Sequence, residues 1–150
     1  MFQSQEYVGL LIAAARRSLR QAVQDRVRPL RLNPPQFWTL LAIGEMSGAS
    51  LGELARRQRI DAPAASRTVA ALTRRGLVRL QLDRDDRRRS RLSLTRAGED
   101  LLRKLRPIAD ELRARVISGM NAAEETALRT LLHKVIRNLD GSQQQRRGAR

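Results

Sequence analysis

The stretch that most constrains the fold is residues 74–98, RRGLVRLQLDRDDRRRSRLSLTRAG. It begins the way helices stop: Arg74 and Arg75 place cations near the last carbonyls, and Gly76 tolerates a positive φ. Val78, Leu80 and Leu82 then alternate with Arg79 and Gln81, and Leu92 and Leu94 alternate with Arg91 and Ser93. Alternation with period two on both sides of a polar loop predicts a hairpin with one buried face. The loop, 83–89, carries too much charge to bury itself and projects as a basic finger.

Helical patterns flank this hairpin. Residues 4–30 place Val8, Leu11, Ala15, Leu19, Ala22, Val23, Val27 and Leu30 at three- and four-residue steps, which predicts one long amphipathic helix. Asn33-Pro34-Pro35 breaks the chain and starts a second helix, with Phe37, Leu40, Leu41, Ile43 and Met46 inward. Ser50 and Glu53 have the spacing of a capping box for a short third helix. Asp61 caps a fourth over about 62–75, which buries Ala65, Val69 and Leu72. Two short helices, a tight turn and then a hairpin predict a helix-turn-helix with a wing. Thr95 caps a fifth helix with Leu101, Leu105, Ile108, Leu112 and Val116 on one face. Asn121 and Glu124 open a sixth, striped by Leu128, Leu131, Leu132, Val135, Ile136 and Leu139. From Gly141 the sequence SQQQRRGAR reads as a disordered basic tail.

The expected architecture is mainly α with a small β-wing, in one domain over 1–140. Residues 34–98 form its winged helix-turn-helix. Helices in 4–30 and 99–140 carry more apolar stripe than one small lobe needs, so they are expected to form a dimerisation lobe. The net charge of +15 calls for a polyanionic partner, nucleic acid before membrane. Residues 51–96 hold thirteen of the arginines against five acidic residues, so most of the surplus lies around the hairpin.

The wing resembles that of the MarR family (multiple antibiotic resistance regulators) of bacterial winged-helix repressors. The family's signature is Asp-x-Arg, five residues, Leu-Thr, two residues, Gly. It matches Asp86, Arg88, Leu94, Thr95 and Gly98. Gly76-Leu77-Val78, Ser66-Arg67-Thr68-Val69 and Pro34-Pro35-Gln36-Phe37 are also similar to family phrases. Arg84 departs from it, standing where many members have Pro. The resemblance implies a cytoplasmic homodimer on the bacterial nucleoid. It would repress from a pseudo-palindromic operator and release double-stranded DNA on binding a small aromatic or anionic effector.

The resemblance also implies a wing arginine in or along the minor groove, held by the Asp of the signature. On that basis Asp86 orients Arg88. Arg87, Arg88, Arg89 and Arg91 present planar donors to phosphate and to a narrow, electronegative groove. The alternative is a solvated charged loop. Ser66, Arg67 and Thr68 are the candidate readers in the major groove, and Arg74 a helix-end or phosphate contact. Trp38, with Arg16 and Arg17, is the candidate effector site. The plainer reading makes Trp38 a half-buried scaffold residue and the arginines the wet face of the first helix.

The sequence contains no cysteine and a single histidine, His133, too few partners for a metal site or a catalytic triad. No phosphate loop or nucleophile elbow appears, so neither an enzyme nor a cofactor is expected. No apolar run approaches the ~18 residues of a membrane span. The alternative function is a non-specific architectural or nucleoid-type DNA-binding protein, which charge alone permits.

Overall fold

The computed structural model describes residues 7–86 and 89–147, with side chains described as far as residue 140. The first helix, α1 (Val8–Val27), yields to a 3-10 turn at Arg28–Leu30. The expected single helix over 4–30 is therefore shorter. Pro29 has no N–H to continue the ladder, so the last turn tightens. Residues 4–6 lie outside the described residues. Arg31 then takes a left-handed conformation, φ 56°. The Arg75 guanidinium reaches back to it, donating to the Arg31 carbonyl at 2.6 Å and to the Leu30 carbonyl at 3.4 Å. That places a cation on carbonyls that the end of the 3-10 turn leaves open.

The helices α2 (Pro34–Glu45), α3 (Leu51–Gln58) and α4 (Ala62–Arg74) each begin on a side-chain cap. Asn33 and Gln36 form a reciprocal capping box at the start of α2, and Ser50 and Glu53 form another at α3. Asp61 accepts the Ala64 N–H at 2.7 Å at the start of α4. Each cap of this kind contributes about 1 kcal/mol. Phe37, Leu40, Ile43, Leu54, Leu72, Val23 and Val27 meet in the core, all essentially solvent-free.

The strands β1 (Val78–Leu82) and β2 (Ser90–Leu94) pair antiparallel, with Val78 opposite Leu94 and Leu80 opposite Leu92. β2 packs on α2 and α3, and β1 packs on α4. The single buried face expected of the hairpin holds only in part. Val78 and Leu92 are buried, whereas Leu80 and Leu82 are 50% and 68% exposed. The helices cover β2 and the base of β1, and β1 extends past them.

The fifth helix, α5 (Arg96–Val116), buries Leu102, Leu105 and Leu112. The chain divides into two compact units, one ending at Leu112 and one beginning at Arg113. The second unit holds α6 (Ala122–Arg147), opened by a capping box between Asn121 and Glu124. No side chain in residues 122–140 is buried. α6 also runs through the segment expected to be a disordered tail from 141, as far as Arg147. Gln and Arg are good helix formers, so Gly141 costs the helix about 1 kcal/mol without ending it. Residues 148–150 lie outside the described residues.

Candidate nucleic-acid interface

α3 and α4 are joined through Arg59, left-handed at φ 53°, which turns the chain within one residue after α3. The Asp61 cap and Pro63 in the first turn then fix the start of α4. With Ala65, Val69 and Leu72 facing the core, Ser66 and Arg67 are left exposed on the outer side. Thr68 is half-buried, and its hydroxyl donates to the Ala64 carbonyl at 3.0 Å. Its proton is thus spent within the helix, and it presents a methyl group and acceptor lone pairs outward. Arg74 is exposed in the last turn.

The hairpin is fastened at both ends. At its base, Thr95 donates its N–H to the Leu77 carbonyl and its hydroxyl to the Gly76 carbonyl, and accepts the Gly98 N–H at 3.1 Å. One threonine therefore closes the hairpin and caps α5. On the outer edge of β2, Gly48 donates to the Leu92 carbonyl at 2.9 Å, and Leu92 donates to the Ala49 carbonyl at 2.8 Å. The connection from α2 to α3 is thus tied to β2 by two backbone hydrogen bonds, which no periodicity in the sequence announced.

At the tip, Asp83 holds the loop. Its side chain is nearly buried and accepts the Asp85 N–H at 2.9 Å and the Arg91 Nε–H at 2.8 Å. Its own N–H donates to the Arg89 carbonyl at 2.8 Å. The Asp85 N–H, followed by the Arg91 guanidinium, holds the Asp83 carboxyl below its ordinary range. Asp86 lies 3.8 Å from the Arg89 guanidinium. Arg87 and Arg88 lie outside the described residues, and so does the expected pairing of Asp86 with Arg88. Arg89 and Arg91 are exposed, with Arg91 turned onto Asp83. Sequence reasoning missed Asp83. Its signal was there: it is the first residue after the alternation ends, where a short acceptor commonly starts a turn.

A cleft of about 580 Å³ opens between α1, α2 and α3. Trp38, 41% exposed, and Arg16 both line it, as do Arg20, Arg57 and Ile60, whereas Arg17 is not among its walls. Trp38 stacks edge-on against buried Phe37, 4.8 Å between ring centres. Arg57 pairs with Glu45 across the rim at 3.1 Å. Thr39 and Gln58 exchange hydrogen bonds nearby, which satisfies the buried Thr39 hydroxyl. Among the described residues there is no cluster of three metal-ligating side chains, and no helix is long and apolar enough to cross a membrane.

Comparison with known proteins places this arrangement. A sequence profile of the MarR family matches residues 32–89. The structure of Bordetella bronchiseptica BpsR, described with regulation of its DNA binding by 6-hydroxynicotinic acid, is 28% identical. That match covers 87% of this chain and 98% of BpsR, with a TM-score of 0.77. A probable transcriptional regulator from Pseudomonas aeruginosa is 26% identical over 87% of this chain and 97% of its own, also with a TM-score of 0.77. A mutant MarR from E. coli complexed with operator DNA shares the fold at 23% identity and the same TM-score, over 90% of this chain and 97% of its own. Residues 32–89, which hold α2 to α4 and β1, thus match the MarR family, and the fold is the winged-helix fold of these transcriptional regulators.

Proposed function

We propose that the chain is a sequence-specific regulator that binds double-stranded DNA as a homodimer, represses from a pseudo-palindromic operator and releases it on binding a small acid. The observation that carries this reading is the placement of α4. Its capped N-terminal turns expose Ser66 and Arg67 beside a fastened, arginine-rich wing. A helix presented in this way suits a major groove, and Arg67 has the forked donors that read guanine. Arg74, Arg89 and the wing arginines Arg87 and Arg88 would contact phosphate and the minor groove, and Asp86 would orient its neighbours. BpsR, the relative with regulated DNA binding, points the same way.

Dimerisation is supported by apolar surface left uncovered within one chain. Val8, Leu10 and Leu11 of α1 and Leu131, Leu132 and Leu139 of α6 are all more than two-fifths exposed. Pairing across a two-fold axis would cover such stripes and set two recognition helices roughly 34 Å apart. The effector reading rests on the cleft, where Trp38 offers a ring face and Arg16 and Arg20 offer cations to an aromatic acid. A ligand there shifts DNA affinity only by binding one lobe arrangement better than the other.

The test is fluorescence anisotropy on two duplexes of equal length at near-physiological salt, one from just upstream of the protein's own gene and one scrambled. Binding ~10³-fold tighter to the first supports specific recognition. Equal binding to both, and to duplexes selected from a random pool, supports the architectural reading, which the charge of +15 favours.

A further inference from the structure

The geometry points to Asp83 and Arg91 as a strut that positions the wing, with Arg91 acting on nucleic acid through Asp83 rather than as a phosphate donor. This rests on the DNA-binding reading and replaces the role expected of Arg91 in it. Two nitrogens of Arg91, Nε and Nη2, both lie 2.8 Å from the same oxygen, Oδ2 of Asp83. The other carboxylate oxygen, Oδ1, takes the Asp85 N–H. Asp83 therefore joins the first turn of the loop to β2. Its main chain closes the same loop from the other side through the Arg89 carbonyl.

The remaining nitrogen of the fork lies near a third element. Nη1 of Arg91 lies 3.6 Å from where a Cβ on Gly48 would stand, and the Gly48 N–H binds the Leu92 carbonyl. The guanidinium thus ties the loop to β2 and passes beside the connection between α2 and α3. A carboxylate inside a basic finger weakens its pull on phosphate. Asp83 is also the acidic side chain most shielded from solvent in the wing, at 9% exposure against 49% for Asp86. Its contribution is geometric: it fixes where the neighbouring arginines start from, and forked charge-assisted bonds are well suited to that.

The experiment uses Asp83→Asn, Arg91→Gln and the double variant of the full chain, each checked for native circular dichroism. The probe is a duplex selected from a random pool by the wild-type protein. The strut predicts that Asp83→Asn weakens binding ~10-fold although it removes a negative charge. Arg91→Gln should do the same, and the double variant should lose about as much as either single one rather than the product. The slope of log affinity against log salt should stay at the wild-type value in all three.

Unchanged or tighter binding by Asp83→Asn, with Arg91→Gln alone losing roughly one unit of salt slope, overturns the strut and makes Arg91 a phosphate contact. A second measurement needs no DNA. The Arg91 Nε–H resonance of the free protein should move in Asp83→Asn, and an unmoved resonance also overturns the pair. Failure of the wild type to select any duplex would refute the DNA-binding reading instead, and the resonance would still decide whether the strut exists.

Discussion

A Cβ on Gly98 would fall 2.0 Å from the carbonyl oxygen of Leu77. The first turn of α5 is seated directly on the chain that enters β1, and the Leu77 carbonyl also takes the Thr95 N–H. Because the obstruction is backbone, no rotamer change relieves it. Gly98→Ala is expected to destabilise the fold by about 3 kcal/mol, at the upper end of overpacking costs. Urea denaturation checks this, and a loss below about 0.5 kcal/mol would mean that the contact relaxes freely.

Asp61→Ala tests whether the stability of α4 and its use are coupled. It removes the acceptor for the Ala64 N–H and should cost about 1 kcal/mol in thermal or chemical unfolding. DNA affinity should fall with it, because the exposed residues Ser66 and Arg67 follow within two turns. Asp61→Asn, which keeps an acceptor, should recover most of both losses.

Arg67 and Arg89 should fail differently. Replacing Arg67 by Ala is expected to cost about 1–3 kcal/mol at the preferred sequence and to relax preference at one base position. Replacing Arg89 by Ala should weaken all duplexes alike and lower the salt slope by roughly one unit if it holds one phosphate per subunit. Binding to a panel of single-base variants at two salt concentrations distinguishes the two patterns. Identical behaviour would remove the division between reading and gripping.

Acid should unlock two local structures together. Ser50 hydrogen bonds hold Glu53 below its ordinary 4.5, and the Asp85 N–H and Arg91 hold Asp83 below its ordinary 3.8. A depressed folded pKa means that the unfolded chain takes up the proton first as pH falls. The stability from each group is fully present above its unfolded pKa and is lost as pH falls through the folded one. The midpoint gap between the wild type and Glu53→Gln should therefore stay constant from pH 7 to about pH 5 and close below that. A gap that closes between pH 7 and 5 would contradict the depressed value.

Trp38 is the protein's one tryptophan and stands in the wall of the cleft, so tryptophan emission, excited beyond the absorption of Tyr7, reports on that cleft. Small aromatic acids should change its emission saturably, and Arg16→Gln should weaken that binding about tenfold, as expected for loss of one charge-assisted bond. Saturable binding that Arg16→Gln leaves untouched would place the acid elsewhere.

Local chemistry made the helices legible. Ser50 with Glu53, Asp61, and Asn121 with Glu124 are caps that depend only on residues three apart, and each forms as the spacing predicts. Asn33 and Gln36 carry the same signal at the start of α2, beneath the stronger helix-start signal of Pro34 and Pro35. The hairpin was legible in its alternation but not in its burial. Leu80 and Leu92 sit opposite each other with equal apolar character, and only the position of α2 and α3 decides that Leu92 is covered. The pairing of Gly48 and Ala49 with Leu92 is likewise tertiary. In the wing, Asp86 stood out through a motif, whereas Asp83 is recognised as the anchor only once Arg91 is seen folded back upon it.

The edges of the hairpin are unequal, and this bears on how the protein behaves when concentrated. The outer edge of β2 is occupied by Gly48 and Ala49, whereas the outer edge of β1 has no strand partner among the described residues. Along β1 lie two exposed leucines, the combination that invites copies to add strand to strand. Arg79 and Arg84 beside them act as gatekeepers, setting like charge against like charge. Added salt weakens that repulsion as well as the attraction to phosphate. Salt used to strip nucleic acid during purification therefore also lowers the barrier to self-association, and colloidal stability should be poorest where the protein is cleanest.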